Sequence, residues 1–327
     1  MLIAKREWGN PMQSIFPDHR RKIVIDCDVG VDDALALILA FHSPELNVEA
    51  VTGVNGNVPL DQVFKNIQKV LSLIQPQNKP IIAKGAGQPL TGKTIHAHSV
   101  HGVDGLGGAR VERFKDREGW QVYPGRADEL ITQMARQSPN ELTLIATGPL
   151  TNLAIGLQKD PDGMKKLKEV SIMGGAVRTK GNITPQSEFN IFSDPLAAQI
   201  VFRSGMPITL VPLDVTHQVH LTPQVIEERI NPIKNKFSQF IIEVIGYDLN
   251  MHRFLRGTEL IYLHDPLAIG VVIDPSLVRK ERLVLDVETR EGPFYGRISE
   301  TSGNPKIDVC VRVNAQGFLE LFLSRLG

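Results

Sequence analysis

Four aspartates lie within one stretch of eight residues, Asp26-Cys-Asp28-Val-Gly-Val-Asp32-Asp33. Asp26 and Asp28 stand two positions apart at the end of an apolar, β-branched run, so on a strand both side chains face the same side. Unpaired carboxylates at such close range repel and raise each other's pKa, and a bound divalent cation removes that repulsion. Oxygen ligands favour Ca²⁺ or Mg²⁺ over Zn²⁺. The stretch therefore predicts a site for a hard divalent cation.

The same aspartates have other interpretations. One of the last two could simply cap the following helix, where the helix dipole stabilises negative charge. An EF-hand is excluded, because the loop position that requires Gly is Val31 and the position that requires Glu is Leu37. A haloacid-dehalogenase-type phosphatase also carries Asp-x-Asp after its first strand, with Asp26 as nucleophile and Asp28 as acid/base. From the aspartates alone, the phosphatase stays open.

The elements that would position these residues alternate between strand and helix. Apolar runs predict strands at 22–27, 48–54, 81–83, 142–146, 170–173, 208–212 and 306–313. Segments with helical spacing predict helices at 32–42, 60–74, 152–157, 195–204 and 316–326. This alternation predicts a single α/β domain with a mostly parallel central sheet flanked by helices.

Polar residues follow several of the predicted strands. The first strand ends in the acidic stretch, and Asn57, Thr147 and Asp214 come after later ones. In parallel α/β sheets, ligands bind outside the carboxyl ends of the strands. The sequence therefore predicts an active site in one crevice at that edge of the sheet.

The composition of the chain indicates which kind of partner the protein binds. The chain has 327 residues, and its 36 Lys and Arg balance its 36 Asp and Glu. That balance gives no electrostatic case for nucleic acid or for an anionic membrane, so a small molecule is the expected partner. The two cysteines, Cys27 and Cys310, show neither disulfide nor zinc spacing.

The ends and the long loops predict the domain organisation. Residues 1–21 form an expected N-terminal arm that lacks the apolar core of a signal peptide, and 22–327 form the domain. The longest apolar run, 34–41, is too short to span a bilayer, so a cytoplasmic protein is expected. The Gly- and Pro-rich stretch 84–108 predicts a long functional loop. The segment 222–258 predicts helices that cover one face.

The stretch DCDVGVDDALAL at 26–37 resembles the N-terminal signature of the inosine-uridine-preferring nucleoside hydrolases. Further motifs follow in the family's order: Gly56-Asn57, His101-Gly102, Thr147-Gly-Pro-Leu-Thr-Asn152, Met173-Gly-Gly175, Gly181-Asn182, Glu188-Phe189-Asn190 and His264-Asp265-Pro266. Neither the phosphatase nor a passive sugar-binding protein explains the later motifs. The resemblance runs from Lys22 to the C-terminus and implies the nucleoside hydrolase fold.

The resemblance also implies a cofactor and a reaction. Ca²⁺ would be bound by Asp28, Asp33, the backbone carbonyl of Thr147 and Asp265, together with the ribose diol and a water. Asp28 would be the general base that deprotonates that water, and the N-glycosidic bond of a purine or pyrimidine ribonucleoside would break through an oxocarbenium-like transition state. The products would be free base and ribose.

Other site residues are likewise carried over from the resemblance. The implied substrate ligands are Asp32, Asn57, Met173, Asn182, Glu188, Phe189 and Asn190. His101 and His264 would contact or protonate the leaving base, and Asp26 would support the cluster from behind. The family further implies a homodimer or homotetramer. Base preference stays open; Tyr247, His252 and Arg256 are the candidates to set it.

Some of these residues have a purely structural alternative. Asn182 in Lys-Gly-Asn is an ordinary turn residue in isolation, and Thr147 could simply begin a helix. Met173 at a strand end is as often core as pocket. His101 lies in a loop, where histidines are usually solvated. A nucleoside-binding protein without turnover and a subunit that serves as an oligomer scaffold also stay open.

Overall fold

The computed structural model describes residues 20–91, 93–109, 119–256 and 259–327, and for 248–256 only the backbone. Its strands, in chain order, are β1 (Arg21–Cys27), β2 (Leu46–Gly53), β3 (Ile81–Lys84), β4 (Gln121–Val122), β5 (Thr143–Ala146), β6 (Glu169–Met173), β7 (Ile208–Val211), β8 (His220–Leu221), β9 (Ile261–Tyr262), β10 (Val278–Val287), β11 (Ile298–Thr301) and β12 (Ile307–Val313).

Helices connect most of these strands. They are α1 (Val31–Phe41), α2 (Leu60–Ile74), α3 (His98–His101), α4 (Ala127–Gln137), α5 (Thr151–Lys159), α6 (Pro161–Met164), α7 (Phe189–Ser193), α8 (Pro195–Phe202), α9 (Leu213–Thr216), α10 (Pro223–Val225), α11 (Lys236–Arg256), α12 (His264–Ile273) and α13 (Ala315–Ser324). A π-helical turn (Ile226–Ile230) and 3₁₀ turns (Asn231–Ile233, Pro275–Leu277) complete them.

Ten strands form one sheet in the order β11-β10-β12-β7-β6-β5-β1-β2-β3-β4. Every neighbouring pair from β12 to β4 is parallel, whereas β10 runs antiparallel to both β12 and β11. The sheet is therefore mostly parallel with an antiparallel edge. The chain winds from β1 to β2 on one side and returns at β5 on the other, so β1 lies at the topological switch point, where α/β proteins bind ligands.

Each face of the sheet packs against a layer of helices. One core cluster joins α1, α2, α11, α12 and α13 to the sheet, and the other joins α4, α5 and α8. Helix α1 is buried along almost its whole length, because its run of Ala, Leu and Ile is covered by both the sheet and α12. The predicted α/β fold is confirmed.

The predicted elements match closely where the pattern is long and apolar, and α2 spans 60–74 as predicted. Helix α4 and the antiparallel strands β10 and β11 were not predicted. The stretch 84–108 contains the short helix α3, which carries His101, and helices fill the described part of 222–258. Of the predicted N-terminal arm, residues 1–19 lie outside the described residues. Among the helices that the structure describes, none has the length and apolarity to cross a bilayer.

Candidate active site

Asp28 and Asn57 meet where β1 and β2 end side by side. The Asp28 carboxylate is fully buried. Asn57 donates to it twice, from its backbone N–H to Oδ2 at 2.7 Å and from Nδ2 to Oδ1 at 3.2 Å. The parallel register of β1 and β2 places the two residues together. The sequence predicts Asn57 as a substrate ligand; in the structure it also holds Asp28.

Three more carboxylates meet at the first turns of two helices. Asp32 and Asp33 lie in α1 and Asp265 in α12, and each offers an oxygen within 4.8 Å of the other two. Asp33 is held by the Thr147 hydroxyl at 2.7 Å and by the backbone N–H of Gly30 at 2.8 Å. Oδ1 of Asp32 is buried without a hydrogen-bond donor in the described part of the chain.

Burial dominates the electrostatics of this acidic cluster, Asp28, Asp32, Asp33 and Asp265. It raises the pKa of both Asp32 and Asp33 to about 6, and repulsion from Asp32 contributes at Asp33. Burial raises the pKa of Asp28 and Asp265 well above the ordinary value, and their charged neighbours raise it further. Four ionised carboxylates in so small a buried volume are therefore unfavourable without a counter-charge.

The cluster fits a hard divalent cation. Its donors are oxygens, several face one point, and one buried oxygen of Asp32 has no described donor. The converging set shares Asp33 and Asp265 with the predicted Ca²⁺ ligands and adds Asp32. The other two predicted ligands adjoin it: Asp28 interacts with Asp33, and Thr147 donates to Asp33.

Asp26 lies behind the acidic cluster. Its Oδ1 accepts hydrogen bonds from Thr52 Oγ1 at 2.5 Å and from Asn152 Nδ2 at 2.8 Å. Burial raises the pKa of Asp26 to about 7. Asn152, from the predicted Thr147–Asn152 motif, also bonds to the carbonyl of Gly53, so these contacts tie β1, β2 and α5 together behind the site.

A cavity opens above the acidic cluster. Its lining brings together the predicted residues Asp32, Asn57, His101, Thr147, Met173, Asn182, Glu188, Phe189, Asn190, His264 and Asp265. Ala97, Ile183 and Tyr262 also line it and were not predicted. Residues separated by more than two hundred positions thus share one crevice at the carboxyl edge of the sheet.

Glu188 and Asn190 form one wall of this cavity. The Glu188 carboxylate is buried, which raises its pKa, and it caps α7 by accepting backbone hydrogen bonds from Gly175 at 2.8 Å, Asn190 at 2.8 Å and Ile191 at 3.1 Å. Nδ2 of Asn190 donates to the Thr147 carbonyl at 2.8 Å. The wall is therefore fixed by the backbone before any ligand arrives.

Asn182 joins the same wall from the loop before α7. Its Oδ1 accepts a hydrogen bond from the backbone N–H of Phe189 at 2.9 Å. This contact orders the loop that carries the partly exposed Ile183 at the cavity. Asn182 is thus a loop-fixing residue that also faces the cavity.

His101 approaches from α3 and is buried rather than solvated. The backbone N–H of Val31 donates to its Nδ1 at 3.1 Å. Burial lowers the pKa of His101 to about 4. Since Nδ1 accepts a hydrogen bond, the neutral ring carries its proton on Nε2.

His264 also lines the cavity, directly before Asp265. Its Nδ1 is 2.7 Å from Oγ1 of Thr216. The ring of Tyr262 stacks on it, with centroids 5.4 Å apart and planes 25° from parallel. Tyr262 had a signal in the sequence that was not used: it stands two positions before His264, a spacing that puts both on one side of an extended segment.

Asp214, which follows β7, is placed differently from the prediction. Its carboxylate accepts the backbone N–H groups of Val177 at 2.9 Å and Arg178 at 2.7 Å, so it orders the loop after β6. Of the base-preference candidates, Tyr247 lies on α11 with its hydroxyl 3.4 Å from the carbonyl of His98. The side chains of His252 and Arg256 lie outside the described residues.

Comparison with known families gives a match over most of the chain. The model of a family described as inosine-uridine preferring nucleoside hydrolase matches residues 23–320. Among curated proteins, the pyrimidine-specific ribonucleoside hydrolase RihA of Shewanella sp. is 38% identical over 94% of this chain and 96% of its own length. The protein of that name from Salmonella gallinarum is 36% identical over 93% of this chain and 97% of its own length.

Solved structures give a similar result. A plant nucleoside hydrolase superposes with a TM-score of 0.88 and 32% identity, covering 94% of this chain and 98% of that one. A purine-preferring ribonucleoside hydrolase from Gardnerella vaginalis superposes with a TM-score of 0.86 and 30% identity, with the same coverage. The cavity therefore lies in a fold shared with these proteins.

Proposed function

The chain belongs to the inosine-uridine preferring nucleoside hydrolase family, and within it we propose that the protein hydrolyses the N-glycosidic bond of pyrimidine ribonucleosides to free base and ribose. One observation carries the base preference: the curated relatives that match nearly the whole chain at 36–38% identity are pyrimidine-specific. The purine-preferring structural relative, at 30% identity, makes purine nucleosides the comparison that any test must include.

Asp28, Asp33, Asp265 and the carbonyl of Thr147 would hold Ca²⁺, with Asp32 beside them. When bound, the ion supplies Lewis acidity toward water and a docking point for the ribose 2′- and 3′-hydroxyls. The observations that support this assignment are the converging buried oxygens and the raised pKa values of the cluster. The proposal of Ca²⁺ over Mg²⁺ rests on the family resemblance.

Asp28 is the proposed general base that takes a proton from the attacking water. Asn57 holds both of its oxygens, so the carboxylate keeps one orientation while a proton is transferred. Its contact with the cavity-lining Asn57 supports the role, because a base has to lie close to a water that approaches the sugar.

The remaining carboxylates and amides act on the ribose. As the bond to the base breaks, positive charge develops on the sugar ring. Asp32 and Glu188 place negative charge beside the cavity, and Asn190 adds its side-chain oxygen. Groups that are already fixed before substrate binds stabilise such charge without reorganising, and Glu188 is fixed by its backbone hydrogen bonds.

The two cavity histidines serve the departing base, which is a poor leaving anion. His101 is held with its proton on Nε2, and His264 offers a second imidazole in the same cavity. A proton or hydrogen bond delivered to the base lowers the barrier to its departure. We propose that at least one of them does so.

The test is incubation with uridine, cytidine, inosine, adenosine and guanosine, with release of free base and reducing sugar as the readout. We expect release from uridine or cytidine at a kcat/KM at least about tenfold above that for any purine nucleoside, which corresponds to about 1.4 kcal/mol of discrimination. Release should stop after chelation, return with Ca²⁺, and be lost in Asp28→Asn. Faster cleavage of inosine would overturn the base preference, and cleavage of none would overturn the activity.

A further inference from the structure

Thr216 is fully buried at the end of α9, and its hydroxyl contacts the one cavity histidine that stacks on Tyr262. Oγ1 of Thr216 lies 2.7 Å from Nδ1 of His264. We propose that Thr216 is a positioning residue for the reaction: its hydroxyl orients the His264 imidazole so that Nε2 serves the leaving base. The inference rests on the proposed function and names a residue that none of the sequence motifs contains.

The two segments that carry Thr216 and His264 are locked together by backbone hydrogen bonds. The backbone N–H of Leu263 donates to the carbonyl of Val219 at 3.0 Å, and β8 pairs with β9 in antiparallel register, His220 opposite Tyr262. At its start, α9 is tied to the loop after β6, because the Leu213 N–H donates to the Gly175 carbonyl at 2.8 Å. The separation of Thr216 and His264 is therefore set by the fold.

Neighbouring rings restrict the tilt of the His264 ring. Tyr262 stacks against it, and the ring of His217 meets it at 61° with centroids 5.7 Å apart. These contacts do not fix which edge of the His264 ring faces Thr216. A half-turn about the Cβ–Cγ bond exchanges Nδ1 for Cδ2 while the ring keeps its plane. The hydrogen bond to Thr216 favours one of these two orientations. The flipped ring would present carbon to the buried hydroxyl, and an unsatisfied buried hydroxyl is costly.

The hydroxyl can also hold the tautomer that the reaction needs, because it is able to donate to Nδ1. Which nitrogen of a histidine carries the proton is set by the hydrogen bond that the other nitrogen makes. When the Thr216 hydroxyl donates to Nδ1, the proton of the neutral ring is on Nε2, where it can be given to a departing base. At His101 the partner of Nδ1 is the backbone N–H of Val31, which can only donate. Both cavity histidines are thus oriented through Nδ1.

The test separates positioning from folding with two substrates and two variants. Thr216→Val keeps the shape and removes the hydroxyl, and Thr216→Ser keeps the hydroxyl. Uridine has a poor leaving group, whereas p-nitrophenyl β-D-ribofuranoside releases a stable anion that needs no proton. We expect Thr216→Val to lower kcat for uridine about tenfold or more, with KM and the p-nitrophenyl riboside kcat changed less than about threefold. Thr216→Ser should restore uridine turnover to within about threefold.

The ratio of the two turnover rates is measured in one preparation, so it does not depend on the fraction of folded protein. An unchanged ratio in Thr216→Val overturns the inference, as does a Thr216→Ser variant that behaves like Val. In a His264→Ala background, adding Thr216→Val should leave the ratio unchanged; a further fall would show that Thr216 acts on something else. A wild-type protein that cleaves neither substrate overturns the proposed function itself, so the two failures are distinguishable.

Discussion

Asn57 binds both oxygens of the Asp28 carboxylate, one through its backbone N–H at 2.7 Å and the other through Nδ2 at 3.2 Å. A buried carboxylate held in this way cannot rotate, and each hydrogen bond favours its charged form. At the end of the first strand, Asp28 is therefore the proposed base, and Asn57 fixes the orientation of its carboxylate. The same amide lies 3.4 Å from Oδ2 of Asp33, so it bridges two members of the acidic cluster.

Asn57→Asp should be far more damaging than Asn57→Ala. The Asp variant puts a fifth carboxylate against Asp28 and Asp33, so repulsion adds to the loss of a donor, whereas the Ala variant keeps the backbone N–H bond to Asp28. We expect kcat on uridine to fall about tenfold in Asn57→Ala and at least about a hundredfold in Asn57→Asp. Steady-state kinetics at saturating Ca²⁺ measure both. Equal losses would show that the side-chain amide acts only on substrate.

Removing Asp265 should weaken metal binding without destabilising the fold. Asp265 is buried and converges with Asp32 and Asp33, so Asp265→Ala removes one oxygen from the proposed Ca²⁺ site while relieving repulsion in the metal-free protein. We expect calorimetry to show Ca²⁺ affinity reduced at least about tenfold, or about 1.4 kcal/mol. Without Ca²⁺, the variant should unfold at the same or a higher temperature than wild type.

Asp26→Asn is the matched control for this experiment. Asp26 is equally buried, but it bonds to Thr52 and Asn152 behind the cluster instead of converging with the other carboxylates. Its loss should change Ca²⁺ affinity by less than the loss of Asp265. The opposite result would be unchanged Ca²⁺ affinity in Asp265→Ala and weakened Ca²⁺ affinity in Asp26→Asn. It would show that the ion binds on the Asp26 side of the cluster and not beside Asp265.

Most of this site was predicted from the family resemblance, and the positions of polar residues after strands added a physical reason for some of them. Once the sheet is parallel, residues such as Asn57 and Thr147 must meet at one edge, and sequence position alone predicts their proximity. Thr216 escaped prediction for a physical reason. It is held against the cavity residue His264 through the two-residue pairing of β8 with β9, and strands this short leave no periodic pattern. The antiparallel strand β10 was missed because its partly exposed run contains Arg, Lys and Glu.

The double role of Asn57 and Asn190 was equally beyond sequence analysis. A family motif marks a residue as part of the site, but it does not distinguish contact with substrate from contact with a neighbouring side chain. Asn190 donates to the Thr147 carbonyl, the same group that the resemblance assigns to the metal. Only the folded geometry shows that Asn190, which lines the cavity, contacts the carbonyl proposed as a metal ligand.

His42 should make the fold less stable in mild acid. It lies at the end of α1 with its ring against Phe237, and burial lowers its pKa below the ordinary 6.5, with a smaller contribution from Lys236. The unfolded chain therefore binds a proton more readily than the folded one. Stability from His42 is fully present above about pH 6.5 and is lost as the pH falls from there through the lower pKa of the folded state.

His42→Gln removes this titration and gives the measurement a reference. Urea unfolding of both proteins at about pH 8 and about pH 5 yields the difference in their free energies of unfolding at each pH. That difference should shift in favour of the Gln variant at the lower pH. Other titrating groups are common to both proteins and cancel. A constant difference would mean that His42 keeps its ordinary pKa in the folded protein.

Gly56→Ala should sharply lower activity through Asp28. Gly56 precedes Asn57 and packs so closely on the acidic cluster that an added Cβ would overlap the Asp28 carboxylate. Either Asp28 or the β2–α2 connection has to move, and displacement of a base by about 1 Å costs on the order of a hundredfold in rate. Kinetics with uridine should show that loss. The unfolding temperature should fall as well, because the overlap lies in a buried region.

Gly246→Ala is the matched control, since it makes the same substitution where an added Cβ meets no atom of the described residues within 4 Å. Gly246 lies inside α11, so alanine there should stabilise the protein by about 0.5–1 kcal/mol and leave turnover unchanged. A double-mutant cycle completes the test. With Asp28 already replaced by Gly, the whole side chain that Gly56→Ala would overlap is gone, so the stability cost of Gly56→Ala should shrink markedly. If that cost were the same in both backgrounds, the glycine would be required by its own backbone and not by its contact with Asp28.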